Sequence, residues 1–247
     1  MPKRIHTAGD VAKEGLARLR AIADPQKAAQ VQKYFKESVR SFGVSSPEVR
    51  TVAKDLFQQI KKDWTCADAV TLCDLLFPRP ELEAKAIAAL ILARYKRDFP
   101  KALFGKVKSW LVRNYLDNWA SVDIFCPEVM GTLLARYPDL VDQIKDWTCH
   151  PNRWVKRASI VSFLKLAKKE EHRVTIYEIC RSHFPVTDDL IQKANGWLLR
   201  EVGKRDTARL EQFLLTHGPA IPRTTLRYAI ERFAESKRRE LLQRTKS

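Results

Sequence analysis

A basic residue one or two positions ahead of an alanine, followed by bulky apolar residues on a helical period, recurs at Ala86, Ala158, Ala194 and Ala229. The intervals are 72, 36 and 35 residues, so the first reads as two units of 36. One unit back from Ala158 lies Val122, in NWASVD; one unit back from Ala86 lies Arg50, in PEVRTVAKDLF. A period of this length built from paired helices points to an α-solenoid of HEAT-like repeats. Local signals agree. Pro or Thr opens PQKAAQVQKYF at Pro25, PEVRTVAKDLF at Pro47, PEVMGTLLARY at Pro127, PNRWVKRASIVSFLKLAKK at Pro151 and TDDLIQKANGWLLREVGK at Thr187. Such residues favour the first helical turn. The best strand candidate, VTIYEI at 174–179, lies inside a segment that reads as helix. The expectation is an all-α solenoid of about a dozen to fourteen helices, one domain over 1–247, with a basic tail near 237–247.

In a solenoid, equivalent positions of successive repeats form a row. Here the row holds Arg50, Lys85, Arg157, Lys193 and Arg227. The chain carries 45 Lys and Arg against 29 Asp and Glu, a formal charge of +16. Together these suggest a concave basic groove that cradles a nucleic-acid duplex through its phosphates. A basic solvated surface or a ribosome-associated protein is the alternative. A membrane is disfavoured: the longest apolar run, Ala86 to Ala93, is too short to span a bilayer. The first ten residues lack the apolar stretch of a secretory signal, so a cytoplasmic protein is expected, nucleoid-associated when bound to DNA.

Metal and nucleotide chemistry find little support. The five cysteines form no Cys-x-x-Cys pair, and the five histidines show no ligand spacing. No glycine-rich phosphate loop, GxSxG or HExxH occurs. No metal and no small-molecule cofactor is expected.

Acids beside aromatics remain. Trp119 and Asp123 stand four residues apart, hence on one helix face a turn apart, and Pro127 cannot donate to the Asp123 carbonyl. Asp123 sits among apolar and small residues, where a carboxylate needs a partner or a function. It is either a structural acid, capping a helix or paired with an arginine, or a reactive one. Trp119 and Trp197 are core residues by default. Asn195 and Gly196 weaken that default for Trp197, since glycine within a helix costs about 1 kcal/mol relative to alanine and suggests room near the backbone.

The motifs YFKESVRSFGVSSPEVR at 34–50, NWASVD at 118–123, NRWVKRASI at 152–160 and IQKANGWLLREVGK at 191–204 occur in this order. With them the chain resembles the AlkD-like DNA glycosylases, HEAT-like-repeat proteins that excise alkylated bases. The resemblance implies Asp123 as the catalytic acid and Trp119 and Trp197 as the tryptophans flanking the lesion. It also implies DNA contacts at Arg157, Arg200, Arg50 and Ser46, and an aromatic of the cleft at Tyr34. The implied partner is double-stranded DNA carrying N3- or N7-alkylated purines, bound by a monomer without a cofactor and without flipping the base. Two positions depart from the family pattern: Ala120 stands where an Asp is common, and Ser45 where the best-known members have Gln. Because the family includes relatives that bind DNA with little excision, a non-catalytic binder of damaged, bent or branched DNA is the alternative.

Overall fold

A computed structural model describes residues 6–246. Fourteen α-helices follow one another among them. The first six are α1 (Ala8–Ala21), α2 (Pro25–Gln32), α3 (Ser46–Ile60), α4 (Cys66–Leu76), α5 (Leu82–Leu92) and α6 (Leu103–Val112). Then come α7 (Trp119–Arg136), α8 (Leu140–Lys145), α9 (Arg153–Val161) and α10 (Arg173–Ser182). The last are α11 (Asp189–Gly203), α12 (Thr207–His217), α13 (Arg223–Ala229) and α14 (Glu235–Arg244). No strand forms among the described residues, which hold one isolated β-bridge, between Arg40 and Glu81. The fold is all-α, as the periodicity demands. The helical positions one unit apart, from Arg50 through Ala86, Val122, Ala158 and Ala194 to Ala229, fall on α3, α5, α7, α9, α11 and α13, alternate helices of the chain.

Local chemistry sets most helix starts. Thr7 with Asp10, Ser45 with Glu48 and Thr65 with Asp68 form reciprocal capping boxes at α1, α3 and α4. Asp24, Asn152, Asp188 and Asp206 accept backbone N–H groups at α2, α9, α11 and α12. Several boundaries differ from expectation, α9 ending at Val161 rather than running on toward Lys169. Pro127 lies inside α7 rather than at the start of a helix. The helix opened by Pro25 stops at Gln32, short of Tyr34 and Phe35. The basic C-terminal segment is no loose tail: α14 packs on α12, with Leu241 buried and Arg223 donating to the Leu242 carbonyl at 2.9 Å. Ser247 lies outside the described residues.

The chain forms two compact units, dividing between Val129 and Met130. In the first, α1 packs on α3 and α4, and α5 packs on both α3 and α4. Its core holds Leu19, Leu56, Leu72 and Ile87, with Phe77, Trp110 and Phe125 meeting edge to face at 5.0–5.9 Å. In the second, α11 is central and packs on α9, α10, α12 and α13. Gly196 makes the α11–α13 contact: a Cβ there would lie 2.4 Å from the Thr225 carbonyl oxygen. The space that glycine leaves is therefore filled by the backbone of α13, not kept for a ligand.

Candidate functional site

The segment DNWASVD builds one wall of a pocket in the first unit, and each of its polar residues has a separate task. Asp117 accepts from the buried Lys85 ammonium at 2.6 Å, which also donates to the Tyr115 carbonyl at 2.7 Å. Asn118, itself buried, accepts the Ser121 N–H at 2.9 Å and so caps α7. With the turn clamped and the helix capped, Trp119 begins α7 and Asp123 follows one turn on. Both are half-buried and both line a cavity of about 430 Å³.

The opposite parts of that cavity come from α3, α5 and the loop between α2 and α3. Ser46 and Arg50 lie on its α3 side, Ala86 and Leu90 on its α5 side. The loop contributes Phe35, whose ring stacks on Trp119 at 4.9 Å. Two side chains fix the loop. Gln32 donates to the Phe35 and Glu37 carbonyls at 3.2 and 2.9 Å and accepts from the Val39 N–H at 3.0 Å. The buried Glu83 carboxylate accepts the N–H groups of Phe42, Gly43 and Val44 at 3.0–3.2 Å and is bonded by the Ser41 hydroxyl. Gly43 has φ +74°, and a Cβ there would overlap the Asp24 carbonyl oxygen at 2.1 Å, so this turn requires glycine.

Of the residues singled out from the sequence, the structure gathers Ser46, Arg50, Trp119 and Asp123 on one pocket. Tyr34 is 77% exposed and does not line it; its neighbour Phe35 supplies the aromatic. The other three belong to the second unit. Arg157 is buried, and its guanidinium donates to the Leu190 carbonyl at the start of α11, with Arg153 pairing with Asp188 at 2.7 Å beside it. Trp197 is half-buried on α11, not the core residue its helical stripe suggests. Arg200 pairs with Glu231 and lies 3.7 Å from Glu201.

The expected row of five cations is thus broken. Lys85 and Arg157 are interior and hold backbone carbonyls, while Lys193 pairs with Asp189 at 2.8 Å. Arg50 and Arg227 remain exposed. Spacing identified one helix face but could not tell which of its cations reach solvent. Sequence reasoning also passed over Phe35, Glu83 and the run RYKR at 94–97, whose alternation of basic and aromatic residues was the available signal. Among the described residues no group of three or more His, Cys, Asp or Glu side chains is placed to hold a metal ion, and no helix is long and apolar enough to cross a membrane.

The sequence model of the DNA alkylation repair enzyme family matches residues 16–233. The chain belongs to that family. Its helical fold is similar to that of a solved structure described as a predicted DNA alkylation repair enzyme from Enterococcus faecalis. The two share 19% identity with a TM-score of 0.74, over 86% of this chain and 97% of the other. No curated protein sequence matches the chain significantly. Membership in a DNA alkylation repair enzyme family agrees with the resemblance carried by NWASVD and the motifs around it.

Proposed function

We propose that this family member is a monofunctional DNA glycosylase that releases positively charged N3- and N7-alkylated purines, such as 3-methyladenine and 7-methylguanine, from duplex DNA. The observation that carries this reading is the placement of Asp123 and Trp119 on one pocket, with Ser46 and Arg50 beside them. An alkylated purine already bears positive charge, so its glycosidic bond breaks without protonation of the leaving base. The bonding electrons go to the base, which departs neutral, and the positive charge passes to the deoxyribose. A carboxylate near C1′ stabilises that cation and orients the attacking water, whose oxygen bonds C1′ and whose proton is lost to Asp123 or solvent. At ~4 Å and an effective dielectric of ~20 the charge pair is worth roughly 4 kcal/mol, about three orders of magnitude in rate. The Trp119 indole adds cation–π attraction. Phe35 already covers one face of that indole, which favours a lesion held in the duplex stack over a base inserted behind the ring.

The test is release of free base from methylated duplex DNA. Wild type is expected to liberate 7-methylguanine or 3-methyladenine, and Asp123→Asn to slow release by about three orders of magnitude while still binding the duplex. Binding without release by wild type would make the protein a non-catalytic DNA binder. Unchanged release by the Asn variant would remove Asp123 from the mechanism.

A further inference from the structure

A second cavity, of about 610 Å³, shares Arg50, Leu90, Asp123 and Ile124 with the first. Asp123 therefore stands where two chambers of different chemistry meet. The first presents mainly aromatic and aliphatic side chains, with Arg50 as its one cation among the described residues. The second adds Arg94, Lys96 and Arg97, faced by Glu128 and by Asp123 itself.

These cations come from a single turn. After α5 the chain continues as a 3-10 segment, Ala93–Asp98, interrupted at Tyr95 by backbone angles of −92° and 16°. Tyr95 turns inward, 8% exposed, with its ring edge-on to Phe57 at 5.7 Å. The Arg94 guanidinium lies over the same Phe57 ring, also at 5.7 Å. One buried aromatic thus anchors the turn while Arg94, Lys96 and Arg97 stay exposed around it. Many basic residues elsewhere are ion-paired, among them Lys106 with Asp74, Lys145 with Glu178 and Lys237 with Glu211. Arg50, Arg94 and Lys96 form no salt bridge within the described residues. Arg50, Arg94 and Lys96, exposed along an open cavity, suit a ligand that brings repeated negative charge.

We infer that Arg94 and Lys96, continuing from Arg50, hold the phosphodiester backbone of the DNA strand whose damaged nucleotide meets Asp123. The strand's phosphates lie on the side of the α5 turn and the base on the side of Trp119, so the glycosidic bond falls at the acid between them. The identity of that nucleotide rests on the proposed glycosylase activity; the phosphate track does not. Each phosphate contact displaces condensed counterions, so its loss is read as a change in salt dependence.

The experiment is a salt titration of duplex binding, on unmodified and methylated DNA, for wild type, Arg94→Ala/Lys96→Ala and the charge-retaining Arg94→Lys/Lys96→Arg. The double alanine variant is expected to flatten the slope of log K against log salt by about 1.8, about 0.9 for each lost contact. The loss of affinity should be equal on both duplexes and should fall on KM more than on kcat. The charge-retaining variant should restore the slope, which separates lost charge from lost folding. A wild-type slope and affinity in a double alanine variant with unaltered thermal melting would overturn the track, as would failure of the charge-retaining variant to recover the slope. If wild type binds but releases no base, the glycosylase reading fails while the slopes still decide the track.

Discussion

Phe35 lies nearly parallel to Trp119, ring centroids 4.9 Å apart and planes 18° from coplanar. The two rings come from differently fixed pieces of chain. Trp119 is set by the cap of α7 and by the Lys85–Asp117 clamp, Phe35 by a loop tied to Gln32 and Glu83. The indole is therefore oriented before any ligand arrives. A group whose position is settled in advance loses little freedom on binding, and an oriented electrostatic partner needs no rearrangement in the transition state.

That arrangement makes Phe35 a positioning residue for the proposed reaction. Offset stacking contributes about 1 kcal/mol beyond area burial, so Phe35→Ala is expected to reduce base release about fivefold. The loss should appear in kcat, because the tryptophan itself remains available for binding. Phe35→Tyr, which keeps the stack, should retain the wild-type rate. Single-turnover assays on methylated duplex check both variants, and the Trp119 emission should shift only in the alanine protein.

Lys85 and Arg50 separate structural from ligand-facing charge. Lys85 is 2% exposed and bonded to Asp117 and the Tyr115 carbonyl. Lys85→Met leaves the Tyr115 carbonyl without its lysine donor and Asp117 with the Asn118 amide alone, at a cost of about 2 kcal/mol, and should lower the melting temperature without changing the salt slope of DNA binding. Arg50→Ala should do the reverse, flattening the slope by about 0.9 at near-constant melting temperature. Calorimetry and salt titration on the same two proteins give both readings.

These contrasts show what the residues disclosed locally and what required distant contacts. The helix starts near Pro47 and Thr187 were legible because the groups that cap them, Ser45 with Glu48 and Asp188 with the Leu190 N–H, lie within three residues of one another. Trp119 and Asp123 were legible because a spacing of four defines a helix face in any context. The choice between Tyr34 and Phe35 was not, since the loop that turns one inward closes around Glu83, more than forty residues on. The interior position of Lys85 depends likewise on Asp117, and the close approach at Gly196 on Thr225. In each case the deciding partner comes from a different helix or loop, which periodicity does not encode.

Gly196 supplies a direct test of that last point. In an open helix position alanine would stabilise by up to about 1 kcal/mol. Here the added Cβ would meet the Thr225 carbonyl oxygen and the Tyr228 Cβ, both at 2.4 Å, and neither is the far end of a flexible chain. Gly196→Ala is expected to push α13 from α11 and destabilise the second unit by about 2 kcal/mol. Urea unfolding checks it: a stabilised alanine variant would show that the glycine is there for something other than helix contact.

His183 gives the second unit a pH dependence whose sign follows from its surroundings. The ring is fully buried; burial, with a smaller contribution from the nearby Lys156 charge, pushes its pKa from 6.5 down to about 4. Ser159 donates to the Lys156 carbonyl at 2.7 Å, so its oxygen accepts from Nε2 of His183 at 3.0 Å. That leaves Nδ1 as the bare nitrogen, and a second proton there would find no protein acceptor. The folded form thus binds a proton less readily than the unfolded chain. Stability is complete above the ordinary histidine pKa, declines as pH falls below about 6.5, and levels off below about 4 once both states are protonated. The total loss is on the order of 3 kcal/mol. His183→Gln places an amide donor near the Ser159 oxygen without a titrating ring, so its urea midpoints should change less across that window. Parallel profiles for the two proteins would assign the acid sensitivity to other groups.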